Sequence, residues 1–389
     1  MPISADLTAV IDERAAELVG LRRELHAHPE LAWHEQRTTD AIADCLDTAG
    51  IRYERLTETG LIAEIGDEDG PTIALRADLD ALPVIDTTGD PWRSTVPGVS
   101  HACGHDVHAA ALVGAGLALA RLAETLPMRA RLIFQPAEEI MPGGAHDVIA
   151  AGALKDVTQI YAVHCDPTLD VGMVGLRAGA ITGAADALSV RLSGRGGHTS
   201  RPHLTEDLTY ALATLVTQLP SALSRRLDPR GGASLVWGLV QAGEAHNVIP
   251  STGRAAGTLR MLDIAAWNDC ERLVRTLIAD LIAPYGVTAE VSYVRGVPPV
   301  INERESTATL HEAVVSVLGP DSVTTTSQSL GGEDFAWYLE SVPGAMARLG
   351  TRTPDGWTYD LHQGNLRIDE RAVLIGAKVL ASVALLAGS

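Results

Sequence analysis

Apolar residues recur at helical spacing from about residue 9 to 28 and stop at Pro29, where the missing N–H forbids a further helical turn. A second amphipathic run from about residue 35 closes at Gly50, a residue suited to a left-handed helix end. Short β-branched and aliphatic runs at 61–65, 72–77, 130–134 and 160–163 predict strands. Predicted helices at 109–122 and 145–151 alternate with them, and such alternation predicts an α/β sheet that is mostly parallel. The texture changes after Gly179. Alternating runs at 187–193, 234–241, 254–261 and 287–294 now flank predicted helices at 206–219 and 265–282, which suits a small α+β sandwich. Helix, strand and helix resume after Pro298, ending in an apolar run at 372–389. The pattern predicts a two-domain α/β protein: one discontinuous domain from 1–179 and 297–389, with an α+β domain inserted at 180–296.

Composition narrows the class. At 389 residues the chain exceeds the size at which one hydrophobic core stops growing, in keeping with two domains. A net charge of −19 argues against nucleic acid or an anionic membrane as partner, since both want basic patches. The last apolar run contains Lys378 and is marginal in length, so a packed terminal helix is expected rather than a membrane span. The first residues show no basic and apolar leader, and the four cysteines (Cys45, Cys103, Cys165, Cys270) form no CxxC pair. Free thiols in a cytoplasmic protein are the expectation.

Candidate chemistry concentrates in His101-Ala-Cys-Gly-His-Asp-Val-His108, where a thiol and an imidazole two residues apart can converge on one ion if Gly104 lets the backbone turn tightly. Thiolate with imidazole is borderline-soft ligation, suited to zinc and other transition ions. Gln135-Pro-Ala-Glu-Glu139 follows a predicted strand, and two adjacent carboxylates cannot point the same way in an extended chain. One can bind a metal while the other faces its water. His164 is expected at the end of the 160–163 strand, and Asp78 and Asp80 end another. The carboxyl ends of strands are where open α/β sheets bind ligands. His362 offers a further imidazole before the last helix. Taken singly, each group has a plain alternative: a solvated glutamate pair, a satisfied histidine, turn-forming aspartates, a cysteine acting as a small hydrophobe. Their joint occurrence points to a metal site.

The ordered set Arg76-Ala-Asp-Leu-Asp-Ala-Leu-Pro83, the 101–108 stretch, Gln135-Pro-Ala-Glu-Glu139, Gly196-Gly-His-Thr-Ser-Arg-Pro-His203, Asn247-Val-Ile-Pro250 and Gly331-Gly-Glu-Asp-Phe335 resembles the M20 metallopeptidase family across essentially the whole chain. It is most similar to the amidohydrolase branch of hippurate hydrolases, auxin-conjugate hydrolases, N-acyl-amino-acid aminoacylases and N-acetyldiaminopimelate deacetylases. The resemblance implies two divalent ions per subunit (zinc, manganese, cobalt or nickel), with ligands on Cys103, His105, Glu139, His164 and His362. Cys103 takes the place of a bridging aspartate, Glu138 that of the general base, and Asp80 that of an outer carboxylate orienting a ligating imidazole. The inserted domain becomes a lid and dimerisation domain. There His198 matches a histidine that steadies the substrate carbonyl from the partner subunit, and Asn247, Arg260 and Gly331 match substrate-binding positions. His101 and His108 are left to support the loop or the ligands from outside.

The implied reaction is metal-dependent hydrolysis of the amide of an N-acyl-amino acid by a homodimer, or a tetramer built from it. Glu138 would move the proton from water to the leaving nitrogen. Departures from the family pattern include Gln363-Gly-Asn-Leu366 after His362, Thr199-Ser200 after His198, and Cys165 beside His164, which is read as a bystander. A carboxypeptidase or dipeptidase acting on short peptides is the main alternative. A thiol hydrolase with Cys103 as nucleophile and His105 as base, or a non-catalytic metal-binding protein, are the others.

Overall fold

In the computed structural model, which describes residues 2–66 and 69–388, the chain divides into two units. The first takes Met1–Gly179, Ile301–Ser327 and Asp334–Ser389; the second takes Ala180–Val300 and Gln328–Glu333. The second unit thus runs past residue 296 to Val300 and regains the chain for six residues around Gly331, an excursion that no periodic pattern marks.

The first unit is built on an eight-stranded sheet ordered Tyr53–Arg55, Leu61–Gly66, Arg129–Gln135, Thr72–Asp78, Val157–Asp170, Gly344–Arg352, Val174–Leu176 and Val323–Thr325. Its centre is parallel: Thr72–Asp78 pairs in parallel with strands on both sides, and Val157–Asp170 with Gly344–Arg352. Antiparallel pairs occur at Leu61–Gly66 and at Val174–Leu176. The central strands are buried over nearly all of their length, which is why they read as mostly apolar runs, broken by Arg76, Arg131 and Arg348. The helix His105–Arg121 is buried on every side and packs against the terminal helix Arg371–Ala387. The contact is close because Gly114 has no side chain: a Cβ there would stand 2.8 Å from Leu18 and 3.0 Å from Ala377.

Two expectations need correction. The apolar run at 9–28 is not one helix but two, Pro2–Glu13 and Ala15–Ala27. Arg14 leaves the helical conformation (φ −97°, ψ 10°), and its N–H bonds to the Ile11 carbonyl, one residue short of a full α-turn. The strand at 160–163 does not end at His164 but continues to Asp170, because parallel pairing with Gly344–Arg352 carries it on. His164 nonetheless lies beyond the pairing of Thr72–Asp78, whose register on this strand ends with Arg76 opposite Ala162. It therefore sits past the carboxyl end of a neighbouring strand, where such sheets place their ligands.

The second unit is a four-stranded antiparallel sheet ordered Ser234–Ala242, Thr252–Met261, Ala184–Ser193 and Thr288–Val297, with helices Leu208–Arg226 and Ile264–Ile282. All four predicted strands join in this one sheet. Leu208–Arg226 runs through Pro220, past the expected end at 219. Asp186 anchors this unit from a buried position, accepting from Trp267 Nε1 (3.0 Å), Tyr293 hydroxyl and the Gly296 N–H (2.9 Å). Among the described residues no helix is long and apolar enough to cross a membrane.

Candidate metal centre

His105 opens a helix rather than lying in a loop. Gly104 caps His105–Arg121 in a left-handed conformation (φ +87°) where a Cβ would meet Cys165 Sγ at 2.8 Å, so only glycine fits. The tight turn places Cys103 and His105 on one spot, as their spacing suggested. Cys103 Sγ, His105 and His164 each offer a ligand atom within 4.8 Å of the others, and all three residues are buried.

The orientation of both imidazoles is fixed by backbone. His105 Nδ1 donates to the Asp80 carbonyl (2.8 Å), and His164 Nδ1 donates to the Cys165 carbonyl (2.8 Å). Each ring therefore turns its Nε2 inward, and His164 Nε2 stands 3.7 Å from Cys103 Sγ. An imidazole whose N–H is tied to a carbonyl while the other nitrogen faces a thiol is the arrangement of a metal ligand. Cys103 also belongs to a second set with Glu139 and His362, again within 4.8 Å. His362 reaches this place through a left-handed residue (φ +63°) pinned by its N–H to the Ala102 carbonyl (2.7 Å). Its Nε2 lies 3.3 Å from Glu139 Oε1, outside hydrogen-bond geometry. Glu138 Oε2 and Glu139 Oε1 stand 3.9 and 3.8 Å from His105 Nε2.

These groups fit a pair of cations. His105 Nε2 and Glu139 Oε1 are buried and have no hydrogen-bond partner, a situation that costs about 1–3 kcal/mol per group unless something fills it. Burial opposes a charge on His105, yet Asp78, Asp80 and Glu139 outweigh it and push the imidazole up to about 10. Burial, reinforced by Glu139 and Glu138, drives the Cys103 thiol well above its ordinary value. Left to itself the site holds protons where a cation would sit. A thiol so disfavoured as thiolate is a poor nucleophile, and its hydrogen-bonded imidazole is His164, not His105.

Asp78, His105 and His108 also lie within 4.8 Å of one another, but there Asp78 and His108 already have partners. His108 Nδ1 donates to Asp78 (2.6 Å) and Nε2 accepts the Cys165 N–H (2.8 Å). Asp78 also receives Arg76 (2.6 Å), which bonds Gln135 (2.8 Å) and Asp334 (2.7 Å). His108 thus supports the site from outside, and the backbone of Cys165, though not its thiol, orients two imidazoles. His101 is buried with neither ring nitrogen hydrogen-bonded, and burial holds it neutral, down at about 3.

Asp80 acts differently from expectation. Its carbonyl, more than its carboxylate (3.4 Å), orients His105. Its carboxylate receives the N–H groups of Glu138 (3.0 Å) and Glu139 (2.9 Å), so it holds the glutamate pair in place. Glu35 and Asp334 were not singled out from sequence. Asp334 falls inside the Gly331-Gly-Glu-Asp-Phe335 stretch without having been given a role, and nothing local marks Glu35.

The remaining candidates belong to the second unit and form two pairs. His198 and Asn247 meet on a short ribbon of Gly197–His198 with Val248–Ile249, where the Thr199 N–H bonds the Asn247 carbonyl (3.2 Å). His198 Nδ1 accepts the Ser200 N–H (3.1 Å), which leaves Nε2 to carry the proton outward. Arg260 donates to the carbonyl of Leu330, beside Gly331.

A parallel-sheet unit with a buried cysteine, histidine and glutamate cluster beyond its strand ends, interrupted by an antiparallel unit, defines a two-domain metal-dependent hydrolase. The model of peptidase family M20/M25/M40 matches residues 74–386, and the chain belongs to that family. It is 38% identical to N-acetyl-L-cysteine deacetylase of Bacillus subtilis, over 92% of this chain and 85% of that one. It is 51% identical to a Rhodococcus jostii protein with the provisional name glutamate–cysteine ligase 2-3; there it matches over 98% of its own length but spans only 48% of the relative. Among solved structures, the YXEP protein of Bacillus subtilis, described as a dinuclear metal-binding peptidase of family M20, superposes with a TM-score of 0.85 at 33% identity, covering 97% of this chain and 99% of that one.

Proposed function

We propose that this protein hydrolyses the amide bond of N-acyl-amino acids, releasing a carboxylic acid and a free amino acid. The observation that carries this reading is the sharing of Cys103 Sγ between two ligand sets, one with His105 and His164 and one with Glu139 and His362. Relatives named N-acetylcysteine deacetylase (36% identical) and IAA-amino acid hydrolase (32% identical) support an acyl-amino acid over a longer peptide. The five side chains would hold two divalent ions, zinc, manganese, cobalt or nickel. Such ions, when bound, lower the pKa of a water toward neutrality and polarise a carbonyl.

The chain's own groups do the rest. Glu138 takes the proton of the attacking water and delivers it to the leaving nitrogen. His198, with its proton on Nε2, donates to the oxyanion from the partner subunit. Asn247 holds the substrate carbonyl, Arg260 pairs with the free carboxylate through its planar fork, and Gly331 lines the cleft. The inserted unit serves as lid and dimer contact; its edge strand Ser234–Ala242 exposes Val236 and Val240. We place the protein in the cytoplasm, where its free cysteines stay reduced.

The test is a substrate panel on protein stripped by chelation and reloaded with each metal: N-acetylcysteine, N-benzoylglycine, indoleacetyl amino acids and simple dipeptides. Turnover of the acyl-amino acids ahead of the dipeptides is expected. Preference for dipeptides would establish the carboxypeptidase or dipeptidase alternative, and full activity after exhaustive chelation would overturn the metal reading.

A further inference from the structure

The glutamate pair at 138 and 139 leaves its strand through Ala137, which is buried and holds a left-handed conformation (φ +57°) that an alanine avoids. Three consecutive N–H groups in this turn each meet a carboxylate oxygen. Those of Glu138 and Glu139 go to the two oxygens of Asp80. That of Ala137 goes to Glu35 Oε1 at 2.9 Å. Glu35 lies about a hundred residues earlier in the chain and is fully buried. It precedes the helix Gln36–Thr48 yet does not cap it. Its side chain turns away instead, and its second oxygen receives the Thr59 hydroxyl at 2.6 Å. Its own carbonyl is fastened by the Thr39 hydroxyl (2.7 Å), whose oxygen accepts the Gly60 N–H (2.8 Å).

From this geometry we infer that Glu35 is a positioning residue for the reaction: by accepting the Ala137 N–H it holds the left-handed kink that sets the directions of Glu138 and Glu139. The inference rests on the function proposed above. A buried carboxylate is a costly way to satisfy one N–H and one hydroxyl, and neutral acceptors would serve if satisfaction were all that mattered. What the carboxylate adds is a strong, fixed acceptor for the residue whose conformation is least favourable. Asp80 fixes the two N–H groups after the kink, and neither of its bonds holds Ala137 itself. Without Glu35 the kink relaxes, and both glutamates move together.

The test compares Glu35→Gln and Glu35→Ala with Ala137 intact and with Ala137→Gly. Two quantities are measured for each: the zinc dissociation constant by competition with a chelator, and kcat on an N-acyl-amino acid. Glu35→Ala is expected to weaken metal affinity or kcat by roughly 10–100-fold, the usual effect of losing a group that orients metal ligands. Glu35→Gln is expected to stay within about threefold of the parent, since its amide oxygen accepts the same N–H and its NH2 donates to Thr59. Glycine takes the left-handed conformation without steric cost, so Glu35→Ala with Ala137→Gly should recover most of the loss. A role limited to filling space would show no such rescue. Should the alanine variant fail to fold, Glu35→Met fills the volume without an acceptor and takes its place.

Unchanged affinity and kcat in Glu35→Ala or Glu35→Met overturns the inference. So does a glutamine variant as damaged as the alanine one, or a loss that glycine at 137 does not reduce. A parent protein that binds no zinc in the same titration overturns the metal reading itself, and the kcat ratios then decide the role of Glu35.

Discussion

Two turns of this chain carry groups marked for chemistry, and they are built in opposite ways. The turn at 136–139 lies in the first unit, and the N–H groups of its last three residues are each received by a buried carboxylate. The ribbon of Gly197–His198 with Val248–Ile249 lies in the second unit and consists of two residues on each side, with His198 and Asn247 exposed. The first holds geometry before anything binds. The second leaves its polar groups accessible and lightly held. Groups that share a cation must be spaced correctly in advance, because charge repulsion would otherwise spread them, whereas a group that meets substrate has to remain reachable.

Breaking the buried turn at its reacting group has the largest expected effect. Glu138→Gln should lower kcat by about 10³-fold, within the usual range for losing a general base, while the protein still binds its metal. Steady-state kinetics with metal analysis checks this, and retained turnover would remove Glu138 from the proton path. On the ribbon, His198→Ala should cost roughly 10²–10³ in kcat with the metal dissociation constant unchanged. A His198 variant that also loses metal would erase the contrast between the two turns. Asp80→Asn sharpens it from the other side. One carboxylate oxygen becomes an NH2 facing a backbone N–H, and metal affinity should fall by roughly 10–100-fold.

Metal binding should itself release protons. His105 is pushed up to about 10 and the Cys103 thiol well above its ordinary value, so both must lose a proton to a cation near neutral pH. Calorimetry in buffers of different ionisation enthalpy reads the number released, and affinity should rise with pH. A binding heat independent of buffer would contradict this assignment of protons.

The smallest effect concerns stability. His26 is tied to Asp106 (2.8 Å); burial opposes its charge, but Asp106 and Asp86 raise it above 6.5. A raised imidazole contributes stability that is fully present below 6.5 and disappears as pH climbs through the folded-state value. His26→Gln should therefore lower Tm by about 2–4 °C at pH 6, with the gap to the parent narrowing by pH 9. A gap that widens with pH would reverse the sign.

Much of this was legible in the chain because it was local. Buried central strands must be mostly apolar, with any charged residue paired, so 72–77 and 130–134 announced themselves despite Arg76 and Arg131. The three-residue strands Tyr53–Arg55, Val174–Leu176 and Val323–Thr325 are too short to show a period, and only their neighbours make them strands. The extension of Val157–Asp170 past His164 likewise depends on a partner more than 170 residues away.

The site divides along the same line. Residue type fixes what a side chain can do, and close spacing limits where it can go, so Cys103 and His105, with the pair Glu138 and Glu139, were legible in the sequence as candidates for a metal site. Which imidazole nitrogen faces the thiol, which carboxylate oxygens receive the N–H groups of the glutamate turn, and that Glu35 is among them are matters of tertiary structure. Hydrogen bonds between distant segments leave no periodicity in the chain. They exist only once the sheet has brought residues 35, 80 and 137 together, and burial has removed the water that would otherwise satisfy them.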